Sequence, residues 1–125
     1  MIDVLTDLLA IPSPTFKETA KVTFIRDYLA QHCPEATLDI YKDNLVATFG
    51  NDPTRKTLAL VGHSDVVPKH VSPRVEHGRV YGSGASDMQA AVAVFLDVLR
   101  EHQHTLAYNI KLIIYAREEG TALHE

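Results

Sequence analysis

Three short polar clusters carry residue types that bind cations: His63-Ser64-Asp65, Asp87 within Tyr81-Gly82-Ser83-Gly84-Ala85-Ser86-Asp87-Met88, and Glu118-Glu119. In an extended segment residues i and i+2 project the same way, so His63 and Asp65 share a side. That pairing suits a metal-bound imidazole, whose other N–H is usually held by a carboxylate that fixes its tautomer and raises its basicity. Taken alone, the same triplet also describes a surface turn with a hydrogen-bonded pair. Asp87 follows two glycines that let the backbone turn sharply or approach another group closely. Ser86 or Asp87 would serve equally as a helix N-cap, which their residue types favour. A dinucleotide fingerprint is excluded, because it needs a third glycine where Asp87 stands, and a carboxylate there repels pyrophosphate. Glu118 and Glu119 repel one another unless a cation or proton intervenes. In an extended chain these neighbours project to opposite sides, one able to bind metal while the other faces a substrate as a base. A solvated acidic loop paired with Arg117 is the alternative.

The elements that would position these clusters follow from hydrophobic periodicity. Ile2, Leu5, Leu8 and Leu9 share one helical face, and Pro12 and Pro14 end that helix. A second helix is expected from Thr15 or Lys17 to about His32, with Val22, Ile25 and Leu29 on one face and Pro34 beyond its end. Residues 37–41 and 45–49 read as short strands around an Asp43-Asn44 turn, followed by a polar loop over 50–56. The run 58–62 and the run 110–116 read as strands buried on both faces. Residues 74–81 read as a hairpin turning at His77-Gly78, and the apolar stretch from Met88 to about Arg100 as a buried helix. The expected fold is α/β, a mostly parallel or mixed sheet with helices on both faces. In such sheets ligands sit outside the carboxyl ends of strands. His63-Ser64-Asp65 and Glu118-Glu119 both fall there.

Composition narrows the function classes. With 46% apolar and 22% charged residues the chain has the balance of a globular domain. A net charge of −4, with scattered Lys and Arg, offers no nucleic-acid footprint. Cys33 is the only cysteine, which rules out an internal disulfide and argues against a thiolate zinc site. No signal peptide or membrane span is read from the sequence, so the expected location is cytoplasmic. The remaining histidines lie in polar stretches, and neither Ser64 nor Ser83 sits in a nucleophile-elbow pattern.

Taken in order, Gly62-His63-Ser64-Asp65-Val66-Val67-Pro68, Tyr81 to Met88, and Glu118-Glu119-Gly120-Thr121 resemble the signatures of a zinc aminoacylase and carboxypeptidase family. That family includes succinyl-diaminopimelate desuccinylases, acetylornithine deacetylases, aminoacylases and di- and tripeptidases. Ile11-Pro12-Ser13-Pro14-Thr15 resembles its opening loop, so the likeness runs through almost the whole chain. The resemblance implies that His63 binds one metal and is oriented by Asp65, that Asp87 bridges two metals, that Glu119 binds the second, and that Glu118 is the general base. It also implies a cis peptide at Asp87–Met88. Two Zn²⁺ ions are implied, with Co²⁺ or Mn²⁺ as substitutes, activating water to cleave an amide bond of a small N-acyl amino acid. The short spacing between Asp65 and Asp87 is most similar to one branch of succinyl-diaminopimelate desuccinylases, enzymes of lysine and diaminopimelate biosynthesis. Gln89 and Ala90 depart from the Lys and Gly usual in the family.

The resemblance further implies that residues 1–125 are the N-terminal portion of a catalytic domain. A further acidic ligand, a distal histidine and an inserted domain used for homodimerisation are expected from a longer chain; His124 and Glu125 lie too near Glu119 to replace those ligands. Three readings follow. The chain is a metal-dependent amidohydrolase (a desuccinylase, or a deacetylase or di/tripeptidase of the same family), a non-catalytic fragment, or an α/β module that binds a cation for structural reasons.

Overall fold

The computed structural model describes residues 1–123, so His124 and Glu125 lie outside the described residues. The chain forms α1 (Ile2–Ala10), α2 (Thr19–His32), β1 (Thr37–Tyr41), β2 (Asn44–Phe49), β3 (Thr57–His63), β4 (Arg74–Glu76) and β5 (Arg79–Tyr81). A π-helical turn (Ala85–Gln89) leads into α3 (Ala90–His102), then β6 (Asn109–Tyr115) and a 3₁₀ turn (Glu118–Leu123).

α1 stops where Pro12 and Pro14 deny the chain further helical hydrogen bonds. α2 starts at Thr19, later than its periodicity suggests, because the residues before it are used elsewhere. Val66 N–H donates to the Ser13 carbonyl at 3.0 Å, and Pro14 bridges Val66 in parallel. This loop is therefore laid along the segment that follows β3. The hairpin β4–β5 turns at His77-Gly78 as expected, with Gly78 at φ 74° and its neighbour His77 at φ 50°.

The main sheet is mixed, in the order β1-β2-β6-β3: β1–β2 and β2–β6 are antiparallel, and β3 pairs with β6 in parallel. The α/β class is as expected, but the placing of helices needs correction. Leu45, Ala47 and Phe49 face Ile114, Leu112 and Ile110 across β2–β6, and all six are buried. They join Val4 and Leu8 of α1, Val22, Ile25 and Leu29 of α2, and Val92, Ala93 and Leu96 of α3 in a single core. All three helices thus cover one face. On the other, Lys111 is exposed and Val46 and Ile113 are half-buried. β6 accordingly alternates instead of being buried on both sides. β3 is an edge strand, and its residues Leu58 and Val61 are each 47% exposed. A continuous apolar run cannot distinguish a central strand from an edge strand. α3 is likewise not buried all round, since Val94 and Val98, one turn apart, both face outward. In α1, Val4 takes the buried place expected of Ile2.

No helix among the described residues is long and apolar enough to cross a membrane.

Candidate metal centre

Parallel pairing of β3 and β6 brings their carboxyl ends level, with His63 opposite Tyr115, and the next step continues through Ser64 N–H to the Tyr115 carbonyl at 2.9 Å. The polar segments after both strands therefore leave the sheet side by side. His63 and Asp65 are buried, at 3% and 0% exposure.

Asp65 is the hub of the site. Its Oδ1 accepts a hydrogen bond from the Glu118 N–H at 3.0 Å, and its Oδ2 accepts from the Glu119 N–H at 3.0 Å and the Thr15 hydroxyl at 2.9 Å. Three donors thus converge on one buried carboxylate. His63 turns Nδ1 toward Asp65, 3.0 Å from its carbonyl oxygen and 3.4 Å from Oδ1. Both are acceptors that a proton on Nδ1 would satisfy, and Nε2 faces the cluster.

Asp87 reaches this place by a different route. Gly84 adopts φ 77°, and a Cβ there would collide with the Val66 side chain, so the glycine lets the turn close onto the segment after β3. Inside the π-helical turn Asp87 and Met88 leave helical geometry, and their peptide bond is cis, as the sequence resemblance implies. Asp87 Oδ1 then lies 3.1 Å from His63 Nε2. The Gln89 side chain braces the π-helical turn from beneath, donating from Nε2 to the His63 carbonyl at 3.3 Å.

The glutamates do not project to opposite sides. Arg117 takes a left-handed conformation, φ 69°, and the chain enters a 3₁₀ turn instead of continuing as a strand. Ligand atoms of His63, Glu118 and Glu119 consequently lie within 4.8 Å of one another, Glu118 Oε2 being 3.9 Å from His63 Nε2. Burial, then the Glu118 and Asp87 carboxylates, push the Glu119 carboxyl above its usual range, while His63 pulls the other way. No Lys or Arg forms an ion pair with Asp87, Glu118 or Glu119 among the described residues. One imidazole nitrogen and converging carboxylates with no cation among them make a donor set suited to a divalent metal of the zinc type. Beside it a cleft of about 310 Å³ is lined by Val66, Val67, Gly84, Ser86, Asp87 and Glu119. A larger cavity of about 450 Å³ opens at the far end of β6, around Asn109 and the loop after β2, away from this cluster.

Sequence reasoning singled out all five clustered residues and missed their supports. Thr15, Glu18, Lys21 and Gln89 are buried under or beside the site. Lys21 had a readable signal, because it precedes Ile25 and Leu29 at helical spacing on the core face of α2. Its ammonium is pushed down to about 8 by burial, while Asp65 pulls it back up.

Residues 59–124, just over half of the chain, match the peptidase family M20/M25/M40. The chain belongs to that family. Among curated proteins, the succinyl-diaminopimelate desuccinylase of Rickettsia felis is 33% identical over 98% of this chain. The chain spans 37% of that relative's length. Human carnosine dipeptidase 1 superposes with a TM-score of 0.82 at 22% identity, covering 98% of this chain and 32% of its own. A dinuclear metal-binding M20 peptidase from Bacillus subtilis superposes with a TM-score of 0.68 at 17% identity, covering 94% of this chain and 35% of its own. The M20-type fold thus accounts for nearly all of the described structure.

Proposed function

We propose that this chain, the N-terminal portion of an M20 catalytic domain, carries the main part of a two-metal site for hydrolysing the amide bond of a small N-acyl amino acid. The observation that supports this most is the clustering of His63, Glu118 and Glu119 beside the buried Asp65, with Asp87 set against His63 Nε2. His63 and Asp87 would hold one ion, and Asp87 and Glu119 the other, with zinc favoured by an imidazole and carboxylate set. Two such ions would supply Lewis acidity to the scissile carbonyl and would acidify the attacking water.

The chain's own residues do the rest. Asp65 keeps the proton on Nδ1 of His63, leaving Nε2 to donate its lone pair. Glu118, 43% exposed and 3.9 Å from His63 Nε2, would take the proton from the attacking water and return it to the leaving amine. Glu119, its carboxyl raised by burial and by like charges, would be eased by a bound cation.

N-succinyl-diaminopimelate is the favoured substrate, supported by the Rickettsia felis relative and by the 22-residue step from Asp65 to Asp87; N-acetylornithine and dipeptides are the alternatives. Each ion here has two protein donors, below the three usual in catalytic zinc sites, so turnover by the 125-residue chain is expected to be slow. The test is release of succinate from N-succinyl-diaminopimelate by zinc-loaded protein, compared with N-acetylornithine and a dipeptide. Faster release of acetate or cleavage of the dipeptide would displace the desuccinylase reading. Activity that survives Glu118→Ala would remove Glu118 as the base.

A further inference from the structure

Glu18 is fully buried at the N-cap of α2, and the chemistry above makes no use of it. Its Oε1 accepts from the Phe16 N–H at 2.9 Å and from the N–H of Arg117, 99 residues downstream, at 3.2 Å. Both donors belong to residues in the left-handed region, Phe16 at φ 72° and Arg117 at φ 69°. The same segments are tied a second time where the Arg117 guanidinium lies 5.0 Å from the Phe16 ring centre. Glu18 Oε2 is buried and has no hydrogen-bond partner among the described residues. A carboxylate is a costly group to bury, the more so with one oxygen unpartnered, and an apolar side chain would cap this core at less cost.

What the carboxylate touches supplies the reason. Arg117, Glu118 and Glu119 present three successive backbone N–H groups, the first taken by Glu18 and the next two by Asp65. A left-handed residue followed by a right-handed turn makes such a row of amides a concave anion binder. Here two carboxylates of the same chain fill it. Thr15, also on the opening loop, anchors one of them.

We propose that Glu18 is a positioning residue of the metal centre: it fixes the left-handed turn at Arg117 from which Glu118 and Glu119 project. The opening loop is thus the template of the glutamate pair. The metal half of this statement rests on the function proposed above; the turn half does not.

Amide hydrogen exchange of the metal-free 125-residue chain, followed by zinc titration, separates the two. In Glu18→Ala the amides of Arg117, Glu118 and Glu119 are expected to exchange about tenfold faster or more, with Leu112 and Ile114 far less affected. Zinc affinity should fall by a similar factor. Glu18→Gln, whose amide oxygen still accepts both bonds, should keep protection and affinity within about threefold of wild type. If Glu18→Ala does not fold, Glu18→Asp, with its shorter reach, should show the same selective loss. Unchanged exchange at 117–119, or equal losses in Glu18→Gln and Glu18→Ala, would overturn the proposal. Wild type that takes up no zinc while these amides respond as stated would remove the metal reading and leave the turn assignment supported.

Discussion

The two ends of β6 are each organised by one polar side chain, and the two side chains differ in kind. At the amino end Asn109 gathers the loop after β2: its Oδ1 accepts from the Asp52 N–H at 3.1 Å, and its Nδ2 donates to the Asp52 carbonyl at 2.7 Å. Gly50, at φ 74°, lets that loop press against the amide, where a Cβ would come within 2.9 Å of Oδ1. At the carboxyl end Asp65 performs a comparable gathering of Thr15, Glu118 and Glu119, but it only accepts, and it is fully buried. A neutral amide suffices to hold a loop. A buried carboxylate costs more and adds a charge, which at this end would suit an imidazole to be oriented and a cation to be held.

Substitution at each end separates holding a loop from serving a metal. Asp65→Asn should have the largest effect, because an amide cannot accept from both Glu118 and Glu119 and no longer carries charge. Stability should fall by about 3 kcal/mol, and zinc affinity by roughly 10–100-fold. Asn109→Ala, the matching change at the other end, should cost about 1 kcal/mol and leave zinc affinity unaltered. Chemical denaturation and zinc titration of the two variants check both expectations; equal effects on zinc would erase the distinction between the ends.

Lys21 sharpens the comparison from the side of charge. It titrates near 10.5 when unfolded and about 8 when folded, so between those values the unfolded chain binds more protons. Its burial therefore costs stability fully below about pH 8, and that cost is relieved as pH rises toward 10.5. Lys21→Met should be more stable than wild type by about 2 kcal/mol at pH 7. The gap should narrow across that window, as urea melts at a series of pH values would show. A gap that stays constant with pH would mean that the lysine charge is not the cause.

How far the sequence went depended on whether a feature was local. The five clustered residues were legible because each sits at a strand end or helix start, where patterning and residue type coincide. Their supports were not, because contacts such as Thr15 to Asp65 or Glu18 to Arg117 join segments roughly 50 and 100 positions apart without a local signature. Glu118 and Glu119 were expected to diverge as strand neighbours; the left-handed Arg117, a non-glycine residue in a conformation its type does not announce, makes them converge. The runs in β3 and α3 read as wholly buried because apolar content does not reveal which elements lie at an edge. Leu58, Val61, Val94 and Val98 are the residues that this assumption misplaced.

The central claim is that His63 offers Nε2 to a divalent cation while Asp65 holds Nδ1. Zinc titration of the protein labelled with ¹⁵N at histidine tests it directly. The account predicts saturable binding that shifts His63 Nε2 and leaves Nδ1 protonated, and that is lost in His63→Ala. Zinc uptake that leaves His63 unmoved, or that shifts Nδ1 instead, would contradict it.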